Sequence, residues 1–218
     1  MAYPTVDAPY GLKPINLIGG QVFAGATRQL VITANYATSI YYGDALTIVA
    51  GGTVEKDSGT TTATPVGVFL GCQYVSAATG QTTFAQYYPA SLAVKSGTNV
   101  LAFVADDPDQ LFKVVLVAGT TADGNGLTPT FLGRTVIGSN AQLVQNTGST
   151  VTGDSKVGIY TAAGATTTAT LPIRIIDVVP DTANSSGNFC EVIVKWNAPN
   201  VTGQTVAGGH QYLNPTGV

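Results

Sequence analysis

The chain has 218 residues, 44% of them hydrophobic, enough to pack a core in one large or two small domains. Charged residues make up 10%, against roughly 25% in an ordinary globular domain, so the surface must draw on Thr, Ser, Asn, Gln and Gly. Nine scattered basic residues and a net charge of -3 argue against a phosphate-tracking groove for nucleic acid. The apolar runs are also far shorter than the about 20 residues a membrane span needs.

Residues 1–27 carry Pro4, Pro9 and Pro14 among several glycines, a composition that resists helix and predicts an extended N-terminal arm. Tyr3, Val6, Tyr10, Leu12, Ile15, Leu17 and Ile18 are apolar, so the arm needs a surface to lie on. Two readings stay open: a first strand packed on its own domain, or an arm reaching a neighbouring subunit. The opening "MAYPTVDAPYGLKP" shows no basic region followed by an apolar run, so the expectation is a protein made and kept in a cytoplasm.

A first β lobe is expected over residues 28–118. "RQLVITA" and "DALTIVA" alternate in the way a half-buried strand does, and "GGTVEKDSG" turns at Gly51-Gly52 into a short polar strand. "TPVGVFLGCQYV" is rich in β-branched and aromatic residues, with two glycines where a bulge would fit. "TTFAQYY", "LAVKSG", "NVLAFVA" and "LFKVVLVAG" continue the series, and no window shows a helical apolar stripe. Regular short strands predict an all-β fold, either small barrel or tulip-like lobes or a sandwich.

"AGTTADGNGLTPTFLG" marks a lobe boundary, with the second lobe starting near Leu111 or after Gly119 and running to residue 198. "ADGNGL" at Asp123 reads as a type I′ turn. "RTVIG", "AQLVQ", "SKVGIY", "LPIRIIDVV" and "NFCEVIVKW" read as strands, and "TAAGATTTAT" as a small-residue loop. The alternative is that the two lobes pack as one unit. Residues 199–218 read as an irregular C-terminal tail whose Val201, Val206, Tyr212 and Leu213 are able to dock.

The inventory of reactive groups is thin. His210 is the single histidine and lies in an otherwise uncharged stretch, "VAGGHQYLN". Ser155 in "TGDSKVG" reads as a turn or cap residue, since a nucleophile needs a base held by a third group. Asp106, Asp107 and Asp109 form the one carboxylate cluster, which lacks the EF-hand pattern and reads as a solvated loop. Cys72 and Cys190 read as two buried thiols and Trp196 as core or interface packing. No GxxxxGK[ST], paired CxxC or HExxH occurs, and Asn184 and Asn200 match the glycosylation pattern without a secretion signal. No catalytic residue, metal or cofactor is expected.

The arm "DAPYGLKPINLIGG", followed by "YYGDALTIVAGGTVEKDS…TPVGVFLGCQYV", resembles the small head decoration, or cement, proteins of tailed bacteriophages. The resemblance covers roughly Ala8 to Val75: a Gly-Asp turn into a strand, a short polar hairpin, then "GVFLG". It implies a non-enzymatic protein on the outer surface of the capsid, made in the host bacterial cytoplasm, whose partners are the major capsid protein and its own copies as a homotrimer. It implies that neighbouring capsid subunits are clamped against internal DNA pressure, with no nucleic acid or membrane bound. Tyr3, Pro4, Tyr10, Leu12, Pro14 and Ile15 are then the arm residues expected to contact the capsid or a neighbouring subunit. The alternatives are a tail, fibre or adhesin module for a host receptor or glycan, and a small hydrolase using Asp106, Asp107 or His210.

Overall fold

The computed structural model describes residues 6–120, 128–161, 168–183, 188–198, 200–202 and 205–215. Its order is all β, and among the described residues there is no α-helix. Sheet I joins β1 (Lys13–Leu17), β8 (Gln110–Val115), β12 (Glu191–Trp196), β11 (Ile173–Val178), β9 (Asn140–Val144) and β10 (Gly158–Tyr160), in that spatial order. Sheet II joins β2 (Arg28–Val31), β7 (Leu101–Ala105), β5 (Gly67–Val75), β3 (Ala45–Ile48) and β4 (Val54–Lys56), with β6 (Thr82–Ala85) paired to the far end of β5. A hairpin of β13 (Asn200–Thr202) and β14 (Thr205–Ala207) stands outside both.

The ladders are antiparallel, and their side chains alternate as the period-two pattern requires. In β8, Gln110, Phe112 and Val114 are buried while Leu111 and Lys113 are partly exposed. The inner face of sheet I packs Leu12, Phe112, Val114, Leu143, Ile159, Ile173, Ile175, Val192, Val194 and Trp196 into one core. Ala45 and Val68 of sheet II join that core, so the two sheets share it. The opposite face of sheet II holds a second core, with Ile32, Leu46, Phe69, Cys72, Tyr88, Ala102 and Val104.

The arrangement is sandwich-like, and the closed small barrel is not what forms. Each sheet does curl: Ile32 beyond β2 meets Val54 of β4, and Leu116 beyond β8 meets Ile159 of β10, each through a single parallel bridge. One bridge ties the ends at a point without continuing the ladder, so both sheets stay open. The bend in sheet II comes from β5, whose register against β7 shifts between Phe69 and Cys72. Gly71 sits inside that shift at φ +134, a backbone conformation that favours glycine.

The sequence reading places its strands well where alternation is strong and misplaces two. "RTVIG" is a 3-10 turn at Gly133–Val136, closed by the Ile137 N–H on the Arg134 carbonyl and the Ser139 N–H on the Val136 carbonyl. "LAVKSG" contributes only a single bridge, Val94 to Ser76. β8 and β1 lie in sheet I with the C-terminal strands, so that sheet draws on the 1–27 and 28–118 segments as well as on 119–198. The turn at Asp123 and the glycosylation pattern at Asn184 fall outside the described residues, as does most of "TAAGATTTAT".

Candidate functional site

The N-terminal segment is built into its own chain. β1 pairs with β8 along Lys13 to Lys113 and Pro14 to Phe112, at the edge of sheet I, where a proline without an N–H is tolerated. Ile15 is half-buried in the same strand. Leu12 is fully buried in the shared core, and its N–H donates to the Gly43 carbonyl at 2.9 Å. Tyr10 donates its hydroxyl to Glu191 Oε1 at 2.5 Å, while Lys113 Nζ sits 2.9 Å from the same oxygen and Lys13 lies over the Tyr10 ring. Burial and the neighbouring Glu191 carboxylate push the Tyr10 phenol upward, so it serves as a hydrogen-bond donor. Tyr10, Leu12, Pro14 and Ile15 therefore make contacts within the chain, and Tyr3 and Pro4 lie outside the described residues.

The Gly-Asp turn before β3 leads to a node that sequence reading missed. Asp44 is fully buried. Its Oδ1 accepts from the Ser155 hydroxyl at 2.6 Å, and its Oδ2 accepts from the Tyr41 N–H at 2.9 Å and pairs with Lys56 Nζ at 3.0 Å. Ser155 Oγ also accepts the Val157 N–H at 3.0 Å. The node thus ties the start of β3 in sheet II to the loop leading into β10 of sheet I. Ser155 is itself fully buried, which fits the cap role and leaves its hydroxyl out of reach of a substrate. The sequence signal was an Asp in a Gly-Asp turn with a lone Lys on the next strand.

The acidic loop is occupied by partners from its own chain. Asp106 Oδ2 pairs with Arg28 Nε at 3.0 Å and accepts from the Tyr212 hydroxyl at 2.8 Å. Asp107 Oδ1 caps the Asp109 N–H at 2.8 Å, and Asp109 pairs with Lys195. The three carboxylates therefore point to different partners, and among the described residues no group of His, Cys, Asp and Glu is placed to hold a metal ion.

The C-terminal segment docks across both sheets. Gly209 and Gln211 donate their N–H groups to the Ala63 and Pro65 carbonyls beside sheet II, and His210 donates to Asn197 beyond β12. The Gln211 side-chain amide accepts the Ile48 N–H at 2.7 Å and donates to the Ile48 carbonyl at 2.8 Å. It acts as a one-residue strand partner where β3 has outrun β5. The His210 ring is fully buried, its Nδ1 accepts the Tyr212 N–H at 3.2 Å, and its Nε2 has no hydrogen-bond partner. Burial pushes this imidazole down to about 4, opposed by the Asp106 and Asp107 carboxylates.

Cys72 and Cys190 are free and buried, and burial raises their thiols to about 12 and about 11, respectively, so neither is activated. Trp196 packs on Phe112 in the core, with ring centroids 5.5 Å apart.

What remains outward is a face of sheet II. Phe84 on β6 is 70% exposed and stacks on Phe103 of β7 with centroids 6.3 Å apart. By register, Gln73 stands opposite both Phe84 and Leu101, Val31 opposite Leu101, and Gln29 opposite Phe103, so one face carries these six uncharged side chains. β6 pairs only with β5 among the described residues. The signal in the sequence was the absence of any charged residue between Asp57 and Lys95. Two open grooves of about 500 and 520 Å³ flank the body, one by Phe23, Arg28 and Asp107, the other by Tyr36, Lys56 and Gln145.

Comparison of the chain with protein-family models, with curated proteins and with solved structures gives no match.

Proposed function

We propose that the chain is a non-enzymatic virion structural protein that decorates the outside of a phage head and cements neighbouring major capsid subunits against internal DNA pressure. The observation that carries the reading is the outward face of sheet II. It presents a stacked Phe84–Phe103 pair amid uncharged neighbours, next to the open β6 strand. Such a face can meet another protein without stripping water from charges, and an open strand offers backbone hydrogen bonds to a partner. The groups that chemistry would need are spent on holding the fold: Asp44 on Lys56 and Ser155, Asp106 on Arg28 and Tyr212, and His210 in the docked tail.

The partners under this reading are the major capsid protein and further copies of the chain, associating as a homotrimer by the family resemblance. Modest contacts suffice, because many copies act on one shell. The resemblance put the contact on the N-terminal arm. Tyr10 and Leu12 are engaged within the chain, and the Phe84 face is proposed as a further contact.

The test is Phe84→Lys, added back to expanded heads that lack the protein. The variant is expected to unfold within about 1 kcal/mol of the parent, because the side chain is mostly exposed. Its occupancy on heads is expected to fall at least about tenfold, the effect of some 1.4 kcal/mol per contact. Undiminished occupancy would remove the face from the account.

A further inference from the structure

The docked C-terminal segment contains a chemical conflict that protonation would expose. His210 Nδ1 is an acceptor for the Tyr212 N–H, which leaves the proton of the neutral ring on Nε2. A second proton must then go to Nδ1. It would turn the acceptor into a donor facing another donor, in a ring with no exposed surface. The ring also packs tilted against Tyr212, with centroids 5.2 Å apart and 57° between the planes.

The surroundings offset the new charge only in part. The carbonyls of Val66 and Asp106 and the carboxylates of Asp106 and Asp107 are the groups that favour a cation at the ring, and burial outweighs them. Asp106 is already shared between Arg28 and Tyr212, and Arg28 lies over the Tyr212 ring, so a cation stands close to the site from β2. Asp107 is committed to the Asp109 N–H.

We infer that the segment from Gly208 to Pro215 is an acid-released clasp, in which protonation of His210 frees the C-terminal segment from both sheets. Release frees the Ile48 backbone at the end of β3, the Pro65 carbonyl and the Asp106 carboxylate from the partners that the closed clasp gives them. The bodies of the two sheets stay folded, because their ladders do not pass through the segment. The inference is independent of the decoration role.

His210 is the chain's sole histidine, so its imidazole signals in NMR are unambiguous. The intact protein is titrated from pH 7.5 to 4 while the His210 ring and the amide exchange of Gln211 and Leu213 are followed, with β8 and β12 amides as the internal reference. The ring is expected to stay neutral through pH 6. It is then expected to protonate in step with a loss of Gln211 and Leu213 protection of at least about tenfold, while β8 and β12 hold. His210→Gln, which cannot charge, is expected to show no acid-linked loss in these amides. Should that variant fail to dock, Asp107→Asn gives the same answer: it keeps the clasp contacts and moves the opening to lower pH. A ring that titrates near its ordinary value with Gln211 and Leu213 still protected would overturn the inference. So would protonation at low pH without opening, or an Asp107→Asn midpoint that does not move.

Discussion

Asp44 meets the Ser155 hydroxyl, the Tyr41 N–H and the Lys56 ammonium in a place without solvent, and the Lys56 side chain is itself only 12% exposed. Asp44→Asn leaves that ammonium without a counter-ion and is expected to lower stability by about 3 kcal/mol, read as an earlier midpoint in denaturant unfolding. Ser155→Ala removes one donor and one acceptor and is expected to cost about 1 to 2 kcal/mol. The reverse ordering would contradict the node. His210 adds a pH term with a definite sign. Its folded value of about 4 lies below the ordinary 6.5, so its contribution is complete above pH 6.5 and lost as pH falls through about 4. At this scale little was legible. The Gly-Asp turn was visible, but Asp44 and Ser155 are separated by 111 positions, and only the fold makes them neighbours.

At the scale of elements, the strands with clean alternation were readable because one buried face imposes a period of two. The short run "RTVIG" was not, since five residues satisfy a turn as easily as a strand. The partner of β1 was also illegible. Lys13 pairs with Lys113, and no local pattern announces a contact at that range. The pairing changes what an N-terminal deletion would do. Removing residues 2–15 strips Leu12 from the core and the start of β1 from the sheet, so the truncated chain is expected to lose the cooperative unfolding of the parent, rather than fold as an intact body without an arm. Leu12→Ala alone is expected to cost about 3 kcal/mol. Gly11→Ala is expected to be similarly damaging, because a Cβ there would stand 2.7 Å from Ser155 Cβ and 2.8 Å from the Gly43 carbonyl, at φ +80. Both are read by thermal unfolding, and a parent-like midpoint in either would show that the N-terminal segment is not structural.

For the molecule as a whole, composition was the strongest guide. A surface with so few charges can approach other copies or a shell with little repulsion, and the two curled sheets that share a core give it a stiff scaffold. The location of the proposed contact face was not readable, because the stacking of Phe84 on Phe103 joins β6 to β7 across the end of β5. Multiplicity is what separates a cement from an enzyme or a receptor-binding tip, so the deciding measurement is a copy number. Quantitative mass spectrometry of purified phage particles gives the molar ratio of this chain to the major capsid protein. The account predicts a ratio of about one, or another large fraction fixed by the lattice, as many weak contacts acting together require. A handful of copies per particle, or none, would contradict it.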